Sequence, residues 1–271
     1  MRSKILWRSM FYALTVALGL ALAYDQLRFP AATKFWQINL VVLSVFVLEL
    51  IINVQQHRQL FAGQIAQATV SSNRLAKLVD HFFLPILVYL SIAGFIYFNR
   101  EPGIVYFVLV GAFALFTLLF ANIRSFYLHY ADVETLTHYV YDIIKLVLFF
   151  SALDSVFNLA SGGQQGLLLL IPVLGVGLMG LLTYRYRQLH MTTLILVILL
   201  GTIVGILAIT AFLFMPGMII LASLLGFVAF YFAVAILHHF IHGDLTLSIT
   251  AEYIVIFVLI FLLVLGISRP V

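Results

Sequence analysis

The chain reads as a series of long apolar runs separated by short polar breaks. Nine runs stand out: Ile5–Tyr24, Trp36–Val54, Leu78–Phe98, Gly103–Ile123, His138–Leu159, Gly166–Tyr184, Met191–Phe214, Pro216–His242 and Ile249–Ser268. Each approaches the roughly 20 residues needed to cross about 30 Å of hydrocarbon at 1.5 Å per residue. The breaks carry turn chemistry, as in Phe29-Pro30, Asn99-Arg100-Glu101-Pro102-Gly103, Ser161-Gly162-Gly163 and Met215-Pro216-Gly217. In hydrocarbon every backbone N–H and C=O must be paired within the protein, and helices do this within themselves. The pattern therefore predicts an all-α polytopic transmembrane helix bundle of about nine spans, forming one integral membrane domain over residues 1–271. If Pro216 only kinks a continuous helix, the count falls to eight.

Composition strengthens this reading. The chain has 271 residues, 64% of them hydrophobic, 9% charged and 25 of them Phe, and its mean hydropathy is +1.17. A lipid bilayer is the solvent that suits such a chain. Lys and Arg outnumber Asp and Glu by 14 to 10, but they sit in the gaps between apolar runs. They are read as topology determinants and not as a nucleic-acid surface. With the N-terminus cytoplasmic, inner segments hold nine of them (Arg2, Lys4, Arg8, Arg58, Arg74, Lys77, Arg124, Arg185, Arg187) and outer segments four (Arg28, Lys34, Arg100, Arg269). The expectation is a multi-pass protein of a plasma or inner membrane with its N-terminus cytoplasmic and its C-terminus outside. Ala21-Leu22-Ala23 resembles a signal-peptidase site, yet the first run is expected to remain as a membrane helix. The chain has no Cys, which excludes disulfides, a thiolate nucleophile and Cys-based metal sites.

That orientation brings all eight histidines and seven of the ten acids to or near the inner side. Between the second and third runs, residues 55–77 are too polar for lipid, and Leu60, Phe61, Ile65 and Val70 suggest one apolar face. A cytoplasmic interfacial amphipathic segment is expected there. The densest set of groups able to bind a metal or move a proton lies in Tyr231–Tyr253, with His238, His239 and His242 followed by Glu252. His238 and His242 are four apart, share a helical face and can ligate one ion. From Pro216 to His238 is about 33 Å of helix, so these histidines are expected at the membrane surface. Ala222, Gly226, Ala229 and Ala233 form a small-residue stripe for close helix packing. At about 100° per residue, His238 and His242 lie roughly 120° and 160° away from Gly226.

Two further groups are unusual inside apolar runs. Asp142 and Lys145 are three apart on one helical face, where an unpaired charge costs several kcal/mol. They are read either as a pair facing the bundle interior or as a snorkelling lysine with a local partner. Glu49 has no basic neighbour in sequence, so it is read as paired across helices, with Lys145 a candidate, or as protonated. Glu49, Asp142 and Lys145 together suit a proton or ion path. Gly201-x3-Gly205, with Gly175, Gly177 and Gly180, reads as helix packing.

The order Ser125-x3-His129, Asp142, His238-x3-His242 resembles the pattern of the zinc-dependent membrane hydrolases that include alkaline ceramidases and adiponectin-receptor-like proteins. The resemblance implies zinc held by His129, His238 and His242, with Asp142 orienting a bound water. That family has seven spans and places its last histidine pair inside the final helix, whereas here the pair precedes Gly243-Asp244 and the last apolar run. A Walker loop, a strand-borne GxGxxG, an HExxH zinc motif and the histidine boxes of di-iron desaturases are all missing from the sequence. Three functions follow. The leading one is a non-catalytic packing or assembly subunit of a membrane complex, whose partners are the bilayer and other membrane subunits. The second is a metal-dependent, zinc-like hydrolase of a lipid at the cytoplasmic interface, using Asp142 and Glu252 beside the metal-binding histidines. The third is a proton-coupled small-molecule carrier.

Overall fold

The structure, a computed structural model, describes residues 2–27, 32–56, 82–128, 130–185 and 190–268. Among these there is no strand, and nine α-helices follow in order: α1 (Arg2–Gln26), α2 (Ala32–Gln56), α3 (Leu84–Phe98), α4 (Pro102–Leu128), α5 (Tyr130–Ser161), α6 (Leu170–Arg185), α7 (Met191–Phe214), α8 (Ile219–His242) and α9 (Leu247–Ser268). A short 3-10 turn, Gln165–Leu169, leads into α6. Eight of the helical segments are long and apolar enough to cross a membrane. The remaining helix, α3, has 15 residues, or about 22 Å. Residues 78–81, where the third apolar run begins, lie outside the described residues, as does nearly all of the 55–77 segment. The protein is thus a multi-pass, all-helical integral membrane protein.

The Pro216 break is a turn and not a kink. Helix α7 stops at Phe214 and α8 starts at Ile219, and Gly217 between them takes φ +84°. A side chain rarely adopts that conformation, so the glycine permits the reversal.

The helices fall into two compact units, Met1–Leu148 and Phe149–Val271, divided within α5. In the first unit α1 packs along α2 and α4. Gly19 of α1 faces Val42 of α2, whose methyl groups fill the space that a Cβ would need. Phe46 anchors an aromatic core, with ring centroids 6.2 Å from Tyr89, 5.7 Å from Phe116 and 5.5 Å from Phe120. Asn39 gives this core a polar tie: its amide donates to the Phe35 carbonyl at 2.9 Å, and its Oδ1 accepts from the Tyr89 hydroxyl at 2.7 Å. Both residues are buried. Tyr89→Phe is expected to lower stability by about 1 kcal/mol, in line with side-chain hydrogen bonds between membrane helices. Unfolding by a graded detergent titration measures it, and an unchanged midpoint would count against the bond.

In the second unit, glycines set the closest approach. A Cβ on Gly175 would sit 3.1 Å from the Gly201 carbonyl oxygen, and one on Gly201 would sit 2.6 Å from the Val176 backbone nitrogen. One on Gly205 would meet Pro172 Cα at 2.7 Å. Helices α6 and α7 therefore cross backbone to backbone, as the Gly201-x3-Gly205 spacing predicts. The small-residue stripe of α8 is buried, with Gly226 facing Leu153 and Ala208. Phe149 stacks on Phe230 at 4.2 Å and Phe157 on Phe212 at 4.6 Å. Helix α9 is different, with only 6% of its span buried. It rests on α8, where Tyr253 and Phe257 both meet the ring of Phe232.

Candidate functional site at the α8–α9 turn

The chemistry of this turn starts from a glycine. Gly243 closes α8 with φ 77°, in the left-handed region. Its N–H donates to the Phe240 carbonyl at 3.2 Å, and the Asp244 N–H donates to the His239 carbonyl at 3.1 Å. This paired closure uses two of the terminal carbonyls of the helix and folds Asp244 back over its last turn. Two residues further on, Thr246 caps α9, its Oγ1 accepting the Ile249 N–H at 3.3 Å.

The result is a chain of three side chains. Asp244 Oδ1 lies 3.1 Å from His239 Nδ1, and the Tyr253 hydroxyl lies 3.2 Å from His239 Nε2. A carboxylate only accepts hydrogen bonds, so Nδ1 carries the proton of the neutral ring. In that neutral ring Nε2 accepts and the Tyr253 O–H donates to it, whereas in an imidazolium Nε2 donates to the Tyr253 oxygen. The tyrosine oxygen keeps acceptor capacity toward its other side. His239 and Asp244 are partly exposed, at 31% and 59% of their side-chain surfaces.

Next to Tyr253, α7, α8 and α9 surround a groove of about 360 Å³, within the range of roughly 300–1,000 Å³ typical of small-molecule sites. Its walls include Leu200, Val204, Ala233, Ile236, Ile254 and Phe257, and its hydroxyl-bearing residues are Thr250 and Tyr253. Thr250 and Tyr253 belong to the first turns of α9, so the hydroxyl groups of the groove lie toward the turn.

The residues singled out by sequence separate into groups. His238 and His242 do come together, with rings stacked 6.0 Å apart at 15°. His242 Nδ1 donates to the His238 carbonyl at 2.7 Å, which in the neutral ring leaves Nε2 as the metal-binding nitrogen. Among the described residues, however, no three His, Asp or Glu side chains gather as a metal site. His129 lies outside the described residues. Glu252 is exposed on α9, about 100° around the helix from Tyr253. Asp142 and Lys145 form an ion pair in the first unit, Nζ donating to Oδ1 at 3.1 Å, with side chains 17% and 3% exposed. Glu49 is half-buried on α2 in the same unit.

Sequence spacing alone does not join His239, Asp244 and Tyr253. A signal is present all the same: a histidine four residues before a helix-ending glycine, an acid immediately after it, and a tyrosine in the second turn of the next helix. The i, i+4 pairing of His238 with His242 points instead to a different edge of α8. Comparison of the chain with protein-family models, with characterised proteins and with solved structures finds no match.

Proposed function

We propose that the protein is a non-catalytic packing subunit of a membrane assembly, and that α6 offers the face on which a transmembrane helix of another subunit docks. One observation carries this reading. Gly175 of α6 is consumed by the crossing with α7, but Gly177 and Gly180 lie some 140° to 200° around the helix from it, and a Cβ at either would meet nothing within 4 Å. Glycine in a helix interior costs about 1 kcal/mol relative to alanine, and a lipid-facing position draws no benefit from it. Two open glycines on one face of a membrane-spanning segment instead allow a neighbouring backbone to come close, which is how membrane helices associate. Val173, 67% exposed, extends the same face.

Gly177→Leu combined with Gly180→Leu is expected to weaken association about 5- to 150-fold, the equivalent of an overpacking cost of about 1–3 kcal/mol, while leaving the unfolding midpoint of the isolated protein unchanged. Native mass measurement of the assembly extracted from its own membrane, before and after substitution, tests this. Because the chain has no Cys, Gly177→Cys also gives a single-site crosslinking probe whose product identifies the neighbour. A monomeric wild-type protein in gentle extracts, or an assembly indifferent to both leucines, would sink the proposal.

A further inference from the structure

We infer that the first unit, Met1–Leu148, carries two aromatic levels about 27 Å apart, one seated at each face of the bilayer. The unit therefore selects a membrane whose hydrocarbon core is about that thick, thinner than the roughly 30 Å of a typical bilayer.

The register of α1 on α2 fixes the spacing. Helix α2 starts six residues after α1 ends and packs back along it, with Gly19 against Val42. Trp7 lies 12 residues before Gly19, about 18 Å along α1. Trp36 lies six residues before Val42, about 9 Å along α2, and the antiparallel pairing carries it the opposite way. Separate contacts bring the other helices to the Trp36 level. Trp36 meets Tyr97 of α3, with ring centroids 5.4 Å apart. Tyr24, about 8 Å beyond Gly19 on α1, meets Tyr106 of α4 at 6.4 Å and donates its hydroxyl to the Arg100 carbonyl at 3.1 Å. All four helices thus place a Trp or Tyr at one level.

The side chains suit a headgroup layer. Trp7, Trp36 and Tyr106 are 71%, 43% and 54% exposed, and Trp and Tyr collect at membrane–water interfaces because one part of the ring is apolar and the other wet. An exposed cation accompanies each tryptophan, Arg8 beside Trp7 and Lys34 near Trp36, and such side chains reach the headgroups through their own length. Between the levels the exposed faces are apolar, with Phe11, Leu14 and Leu18 on α1 and Val41, Val45 and Leu48 on α2. Glu49, half-buried, is the one carboxyl of these two helices inside the band. A thicker bilayer has to thin locally to meet both levels, and a thinner one leaves apolar surface uncovered unless the helices tilt. This inference does not depend on the docking face of α6, which belongs to the second unit.

The test uses the full chain in phosphatidylcholine bilayers, with its two tryptophans as the probes. Trp7→Phe leaves Trp36 as the sole reporter, and Trp36→Phe leaves Trp7. Each is read by quenching from lipids brominated at shallow or deep chain positions. In a bilayer with a core of about 27 Å, both rings are expected to be quenched more by the shallow bromines. Stronger quenching of either ring by the deep bromines, or no quenching of one ring by any, overturns the two levels. Selection is read on the unsubstituted protein, in mixtures of a brominated lipid of one chain length with an unbrominated lipid of another. The lipid forming a core of about 27 Å is expected to be enriched around the rings about twofold over one forming about 33 Å. Equal occupancy, or enrichment of the longer lipid, overturns the selection, and it does so whether or not either variant folds.

Discussion

Gly201→Leu is expected to destabilise the second unit by about 3 kcal/mol, at the top of the usual overpacking range. The cause is the partner that a side chain would strike. A Cβ at this position lies 2.6 Å from the Val176 nitrogen and 2.7 Å from its Cα, and backbone cannot rotate aside as a flexible side chain can. Relief requires α6 and α7 to separate, which opens the neighbouring contacts of Gly175 and of Gly205 on Pro172. Even Gly201→Ala is expected to destabilise, because the first carbon already collides, although alanine is the better helix former. Detergent-titrated unfolding followed by circular dichroism gives the measurement. Gly177→Leu serves as the internal control, with an expected change within about 0.5 kcal/mol. A Gly201→Leu protein as stable as the wild type would show that the two helices do not cross there.

The second large effect is expected at the Asp142–Lys145 pair, and its sign depends on how many partners are removed. Lys145→Met takes the ammonium from a carboxylate that is 17% exposed, and breaking a buried pair on one side costs about 3–5 kcal/mol. Asp142→Leu alone leaves the more deeply buried partner, Lys145 at 3% exposure, with the greater desolvation cost. Asp142→Leu combined with Lys145→Met removes both charges and is expected to be near neutral or stabilising. A double-mutant cycle on unfolding midpoints therefore returns a coupling of about 3 kcal/mol or more. Additive losses, with the double variant the least stable of the three, would mean that the two groups act separately. Activity is not needed for this test.

The fold was legible because hydrocarbon imposes one rule on the whole chain. Runs of about 20 apolar residues must be helices there, and the nine runs correspond closely to the nine helices, with α7 and α8 separated at Gly217 as the Pro-Gly dipeptide indicates. Gly201, Gly205 and Gly226 were legible as packing positions from spacing alone. What spacing does not convey is which side of a helix each glycine serves: Gly175 and Gly177 differ by two residues, yet one is buried in a crossing and the other is open. The site at the α8–α9 turn was harder still. Its three side chains are joined by a left-handed glycine and a threonine cap, and the resulting contacts between positions 239, 244 and 253 follow neither a helical nor a strand period. The His238–His242 pair does follow a helical period, and for that reason it is the feature that spacing brings forward.

The turn at Gly243 also bears on how the protein enters its membrane. Insertion machinery commonly orients a helix by the basic residues flanking it, and the last three helices have none between Met191 and Ser268. A short reversal fixed by φ 77° at Gly243 and by the Thr246 cap leaves α9 one course, back across the bilayer against α8. The two helices are thus suited to insertion as a single hairpin whose reversal is fixed by backbone geometry, with Arg269 the basic residue beside its far end.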